Sequence, residues 1–237
     1  MTPPDDTIDD LYEEGEQALD EGEFEVALDI FHEVLEGDPE HWGAALQHAE
    51  CLHLLWRTEE ALEAVRALTP PEEEEDDPDR VDLEGRVLEV GGDSARAERC
   101  FIEAHELDPE TYPLPVRLSE HDFRVLLDKV LASMPPAIRE VVEEVPVVVE
   151  TKPTAEMAGR EPHINPEVLG LFVGTPVGDQ VNAPSGYGNV VLLFQRNLER
   201  AGRNRAEVQQ EVRITLIHEY GHYLGFDEEQ LEGLGLA

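Results

Sequence analysis

The chain has 237 residues, 41% of them hydrophobic, which is enough for one large or two small globular domains with apolar cores. Its 55 acidic and 17 basic residues give a formal net charge of -38. This charge argues against binding to bare nucleic acid or to an anionic membrane surface, because both would repel it. The acid excess is largest in residues 1–118, where 36 acids stand against 7 bases; the remainder has 19 acids and 10 bases.

No targeting or membrane segment is expected. The first residues, Met1 to Asp6, contain neither a basic region nor an apolar run, and no stretch approaches the roughly 18 apolar residues of a membrane span. Cys51 and Cys100 each lie in an apolar helical pattern, which predicts two buried reduced thiols. A soluble cytoplasmic protein is therefore expected.

A pattern with a period near 34 residues recurs three times in the first half. A small residue is followed by an aromatic or apolar residue and then by a closing proline, which describes a helix–turn–helix unit. The copies are Gly22, Phe24, Ala27, Phe31, Val34 and Pro39; then Trp56, Thr58, Ala61, Val65 and Leu68; then Gly92, Ser94, Ala97, Phe101, Ala104 and Pro109.

Residues 8–112 resemble tetratricopeptide repeats, with a second copy that lacks the glycine and has a displaced closing proline. The acidic run between Pro71 and Pro78 is predicted to be a solvated loop between copies two and three. The resemblance implies a helical array that presents a groove to a peptide or a partner protein. The alternative is an array that only supports the second half of the chain.

The prolines at 113 and 115 break the helical pattern, so we expect a domain boundary there, with a helical repeat domain in residues 1–115 and a second domain in residues 116–237. The overall class is α+β, an all-α repeat domain followed by a small α+β domain. In the second domain, periodicity predicts helices at 119–134, 137–144 and 205–224 and strands at 145–150, 168–174 and 189–194. Ser119 and Asn204 are expected to cap their helices, and Gly225 to end the last one.

The last helix carries the sequence His218-Glu219-Tyr-Gly-His222, an H-E-x-x-H motif. Residues four apart share one face of a helix, so His218 and His222 can direct two imidazoles at one metal ion. Glu219 lies about 100° further round the helix, where it can reach a water on that metal. Two nitrogen ligands beside a carboxylate are what zinc-assisted hydrolysis requires.

A catalytic zinc ion usually has a third protein ligand, and only fifteen residues follow His222. The acids in this tail are Asp227, Glu228, Glu229 and Glu232. Gly225 lets the chain turn, so that Glu228 can swing back towards the metal. Glu228 is favoured, and Asp227 is its main competitor.

Residues 119–237 resemble the minimal zincin-like metallopeptidase family of bacteria, whose pattern is H-E-x-x-H-x-x-G-x-x-D-x-x-L. Besides the three motif residues, Gly225 and Leu231 match in place, and residues 168–174 and 190–194 resemble the two upstream strands. Glu228 stands where the family has aspartate. The resemblance implies a Zn²⁺-dependent peptidase in which His218, His222 and Glu228 hold the metal and Glu219 is the general base.

The substrate is then a peptide or protein, and we expect the strand at 190–194 to present an edge along which an extended peptide pairs. Candidates for an oxyanion stabiliser are Tyr187, Tyr220, Tyr223 and His163, with no spacing argument for any of them. A second hypothesis is a protein-interaction protein whose repeats carry the function and whose zincin-like domain is catalytically weak or structural.

Overall fold

The computed structural model describes residues 5–70, 77–134, 144–159, 164–177, 188–227 and 230–231. The chain divides into two compact units, one formed by Met1–Leu114 and Thr154–Pro166, the other by Pro115–Pro153 and Glu167–Ala237. The first unit is helical and the second combines helices with a three-stranded sheet, so the expected α+β class is confirmed. In the described part of the chain, no helix has both the length and the apolar character needed to span a membrane.

Three helix–turn–helix pairs form the first unit. They are α1 (Asp5–Asp20) with α2 (Phe24–Gly37), α3 (Trp42–Leu54) with α4 (Thr58–Ala67), and α5 (Pro78–Gly91) with α6 (Ser94–Leu107). Of the predicted acidic loop, residues 71–76 lie outside the described residues. At its end, the Asp77 side chain accepts a hydrogen bond from the Arg80 N–H, and Pro78 begins α5, which is the favoured place for proline in a helix.

In two of the pairs, a glycine on the first helix makes room for a phenylalanine on the second. A Cβ on Gly15 would lie 2.7 Å from Phe31, and one on Gly85 would lie 2.8 Å from Phe101, so neither position has room for a side chain. The second pair has Ala49 and Val65, which are both fully buried.

Both cysteines are free thiols, as expected. Cys51 is buried as predicted, whereas Cys100 is only half-buried, so the prediction of a buried thiol is wrong for Cys100. Burial raises the pKa of Cys51 to about 12 and that of Cys100 to about 11, so both remain protonated and unreactive at neutral pH.

One segment of the first unit comes from the second half of the sequence. This inserted segment, Thr154–Pro166, includes the short helix α8 (Ala155–Ala158). The indole Nε1 of Trp56 donates a 2.8 Å hydrogen bond to the carbonyl of the buried residue Ile164. Trp56 lies in the turn between α3 and α4 with a φ of 61°, a left-handed conformation that is uncommon outside glycine.

Trp56→Phe is expected to destabilise the protein by about 1–3 kcal/mol, because it keeps an aromatic side chain, though a smaller one, and leaves the buried Ile164 carbonyl without its indole donor. Denaturant unfolding followed by circular dichroism measures the change. Trp42→Phe is the matched control, since it removes the other indole N–H of the chain. Equal unfolding midpoints for the two variants would contradict the assigned role of the hydrogen bond.

In the second unit, α7 (Glu120–Ser133) precedes a sheet of β1 (Val147–Glu150), β2 (Gly170–Val173) and β3 (Val190–Phe194) in the order β1-β3-β2. Strand β1 is parallel to β3, and β2 is antiparallel to it. The expectation that residues 190–194 present a free edge is therefore wrong, because β3 is the central strand. Most of the helix predicted at 137–144 lies outside the described residues.

Strand β3 is followed by α9 (Gln195–Ala201) and α10 (Arg205–Leu224). Asn204 caps α10 as predicted, since its side chain accepts hydrogen bonds from the Ala206 and Glu207 N–H groups. The apolar face of α10 is buried with residues of β3 in one core, whose fully buried members include Val191, Leu193, Val208, Val212 and Leu216. This packing fixes the position of the helix that carries the H-E-x-x-H motif.

Helix α9 was not predicted, and it contains a fully buried carboxylate, Glu199. Oxygen Oε1 of Glu199 accepts hydrogen bonds from Leu118 N at 3.0 Å and from Gln195 Nε2 at 2.6 Å. Oxygen Oε2 accepts from Arg196 Nη1 at 3.0 Å and from Arg117 Nη1 at 3.4 Å. The four donors offset the loss of hydration of the buried charge and tie the chain before α7 to α9.

Candidate functional site

The two histidines of the motif lie side by side on α10, with their Nε2 atoms 2.9 Å apart. Their ring centroids are 4.6 Å apart and the ring planes meet at 83°. Both residues are half-buried. The four-residue spacing therefore brings two imidazole nitrogens to one point, as the motif predicts.

The end of α10 orients His222. Gly225 adopts a φ of 93°, and the N–H groups of Phe226 and Gly225 bond to the carbonyls of Gly221 and His222, which is a Schellman ending. This turn places the Phe226 carbonyl 3.2 Å from Nδ1 of His222. When Nδ1–H donates to that carbonyl, the proton stays on Nδ1 and the lone pair is on Nε2.

Glu219 is buried, with 6% of its surface exposed, and it faces the sheet. Its Oε2 accepts a 2.6 Å hydrogen bond from the backbone N–H of Phe172 in β2. A Cβ on Gly170 would lie 2.5 Å from Thr215 Cγ2 and 3.1 Å from Glu219 Cγ, so this glycine lets the strand approach the helix. The sequence alone did not identify Phe172 as a partner of Glu219.

The N–H of Phe172 belongs to the edge of β2 that faces away from β3. The bond from Phe194 N to Leu169 O makes these two residues a hydrogen-bonded antiparallel pair, and such pairs alternate along the ladder. In the register that pairs Phe172 with Val191, the backbone groups of Phe172 therefore point away from β3. The Glu219 carboxylate thus lies at the outer edge of β2, which no strand in the described part of the chain occupies.

Among the described residues, no group of three or more His, Cys, Asp or Glu side chains could hold a metal ion. Glu228, the predicted third ligand, lies outside the described residues, as do Glu229 and Glu232. Asp227 caps the turn that follows it, since its Oδ1 accepts from Gln230 N at 2.9 Å while Gln230 Oε1 accepts from Asp227 N at 3.0 Å. An aspartate followed three residues later by a glutamine is the spacing of a capping box, so this reciprocal cap could have been predicted from the sequence.

The two described candidates for an oxyanion stabiliser have structural partners. Tyr220 is fully buried and its hydroxyl donates to the Val145 carbonyl at 3.1 Å, and burial raises the pKa of this phenol. Tyr223 donates to Glu144 Oε2 at 3.2 Å. Tyr187 and His163 lie outside the described residues.

The donor set of α10 fits a zinc ion. Two nitrogens bound at 2.0–2.1 Å to a tetrahedral metal lie about 3.3 Å apart. The observed separation of 2.9 Å reaches this value with a small rotation of the imidazoles. The Phe226 carbonyl, 3.2 Å from His222 Nδ1, is an acceptor for a proton on the nitrogen that does not face His218, and this is the tautomer that a metal ligand requires.

Comparison with known proteins yields two family matches and no match to a curated protein sequence. Residues 18–83 match the family model for the tetratricopeptide repeat, within the first unit. Residues 142–236 match the model for the zincin-like metallopeptidase, which includes all of the H-E-x-x-H motif. The two matched segments follow each other along the chain in the order that the sequence predicts.

Proposed function

We propose that the protein is a zinc-dependent peptidase that hydrolyses peptide bonds with the side chains of α10, and that its repeats bind a protein or peptide. The observation that carries the proposal is the convergence of His218 Nε2 and His222 Nε2, 2.9 Å apart, on the helix that also carries the buried carboxylate of Glu219. The family match of residues 142–236 supports a hydrolase of this type. In this proposal His218 and His222 hold the metal.

Glu228 is proposed as the third protein ligand. Asp227, its competitor, already caps the following turn with its carboxylate. Leu231 is fully buried against α10, since a Cβ on Gly221 would lie 2.5 Å from its side chain. The chain on both sides of residue 228 is thereby held close to the end of α10 that carries His222, which favours Glu228 as the ligand.

In the proposed mechanism, zinc when bound lowers the pKa of a water and polarises the scissile carbonyl. The carboxylate of Glu219 takes the proton from the attacking water and later gives it to the leaving amine. The outer edge of β2 is proposed to bind the substrate in an extended conformation through the outward-facing backbone groups other than the Phe172 N–H, which is donated to Glu219, because the edge passes directly beside this carboxylate. This edge replaces the one expected at residues 190–194.

The repeats are proposed to recruit a substrate or a partner protein. The first helices of successive pairs contact each other, α1 with α3 and α3 with α5. Nη1 and Nη2 of Arg86 on α5 each bond to Glu50 of α3 at 2.6 Å, which fixes the register of these two helices. An array with such a fixed face can present a defined surface to a partner.

His218→Ala is expected to remove both bound zinc and hydrolysis, because one imidazole with a carboxylate no longer provides the donor set. Zinc is measured by atomic emission on the full-length protein, and hydrolysis by release of fluorescent peptides from labelled casein. His121→Ala is the control, since His121 is an exposed histidine on α7. Full zinc content in His218→Ala would contradict the assigned site.

The same assays separate the peptidase from the alternative, a protein-interaction protein with a structural metal site. A wild type that binds zinc stoichiometrically but cleaves neither casein nor other unstructured proteins favours the alternative. The carboxylate at position 219 favours the peptidase, because a structural zinc site has no need of a buried base beside its ligands.

A further inference from the structure

We propose that β2 is a positioning element for Glu219: the backbone N–H of Phe172 holds the carboxylate, and Gly170 provides the close approach that makes this hydrogen bond possible. The inference deepens the proposed function and depends on it for the role of Glu219 as the base. It assigns to Phe172 and Gly170 a task in catalysis, although neither touches the reacting atoms.

The hydrogen bond is suited to this task because its donor has no part in pairing β2 with β3. Phe172 N–H points to the outer edge of β2, whereas the neighbouring Leu171 is in the hydrogen-bonded set that faces β3. An N–H that pairs β2 with β3 could donate to Glu219 only by giving up its hydrogen bond to β3. The edge donor lies 2.6 Å from Oε2, a short distance typical of a hydrogen bond to a charged acceptor.

Gly170 sets the distance between strand and helix. Its Cα faces Thr215 and Glu219, which lie one helical turn apart on α10, and an added Cβ would be 2.5 Å from the first side chain and 3.1 Å from the second. Any larger residue would push β2 away from α10. Because Phe172 is two residues further along the same strand, its N–H would move away from Oε2 as well.

Glu219 is a long side chain with three rotatable bonds, and only a defined rotamer can move protons between water and a leaving amine. The bond from β2 fixes one carboxylate oxygen, so that the base is already in position before substrate binds.

Phe172→Pro tests the N–H directly. Proline removes the donor and is tolerated at an edge position whose N–H is outside the ladder. Phe172→Ala is the reference, because it keeps the N–H but removes the ring that packs on Tyr223 at a centroid distance of 5.7 Å. We expect the kcat of Phe172→Pro for casein-derived peptides to be at least about tenfold below that of Phe172→Ala, at equal zinc content and similar KM. Equal kcat values would overturn the proposal.

A second measurement does not depend on turnover. Amide hydrogen exchange followed by NMR on the full-length protein should show a protected Phe172 N–H. This protection should fall by roughly tenfold in Glu219→Ala, and less in Glu219→Gln, whose Oε1 can still accept the hydrogen bond. Unchanged protection in Glu219→Ala would overturn the proposal. If the wild type hydrolyses nothing, the proposed function fails, and the exchange result alone decides whether Phe172 holds Glu219.

Gly170→Ala provides a test by rescue. It is expected to lower both kcat and the protection of the Phe172 amide, and Thr215→Ser should restore part of each, because it removes the methyl group that the new Cβ meets. Gly188→Ala is the control, since a Cβ there meets no atom within 4 Å. A loss in Gly170→Ala that Thr215→Ser does not reduce would contradict the steric explanation.

Discussion

Glu219→Gln is expected to lower peptide hydrolysis by about 10²–10⁴-fold and to leave the zinc content of the protein unchanged. The amide has nearly the same shape as the carboxylate and can still accept the hydrogen bond from Phe172 N–H, which is 2.6 Å from Oε2 in the wild type. It cannot take a proton from water. The substitution therefore removes the proposed chemistry of Glu219 while retaining its packing.

Casein cleavage and atomic emission on the same preparation measure the two quantities. Glu211→Gln is the matched control, because it makes the same chemical change two turns earlier on α10. Retained hydrolysis in Glu219→Gln would rule out Glu219 as the base. Loss of zinc in this variant would instead assign the carboxylate to the metal site.

The second large effect is on stability. Glu199→Ala is expected to reduce the free energy of unfolding by about 3–5 kcal/mol, because removing one member of a buried charged network leaves the others without a partner. Arg196 and Arg117 lose their shared acceptor, and the Leu118 N–H and the Gln195 amide lose theirs.

Urea unfolding at neutral pH measures this loss. Glu199→Gln keeps the side-chain shape and one acceptor oxygen, so we expect a smaller loss than for alanine. Asp128→Ala, an exposed acid on α7, should change stability by no more than about 0.5 kcal/mol. An equally small effect for Glu199→Ala would mean that the four hydrogen bonds contribute little.

The parts of the fold that follow from local pattern could be predicted from sequence. The bounds of α10 are an example: Asn204 begins the helix and Gly225 ends it, and both side-chain preferences act within one turn of the residue concerned. The three strands were likewise located by their β-branched and apolar runs. The repeats were identified because the same spacing of small, aromatic or apolar, and proline residues recurs along the chain.

What the sequence did not predict depends on contacts between distant residues. Helix α9 is short and begins directly after β3 without a turn residue, and Glu199 reads as a surface acid until its partners from residues 117 and 118 are known. The strand order is also non-local, so the central position of β3 could not be read from its own residues. The bond between Phe172 and Glu219 joins residues 47 positions apart.

The path of the chain limits which fragments of this protein can retain all the contacts of a complete unit. A fragment cut at residue 115 would contain all six repeat helices but would lack Thr154–Pro166, so Trp56 would lose its acceptor. The complementary fragment would carry those residues without the surface that buries Ile164. Neither unit is a single continuous stretch of sequence, so neither can be transferred whole to another protein by cutting the chain once. A chimaera or an isolated repeat module needs Thr154–Pro166 supplied by a second graft.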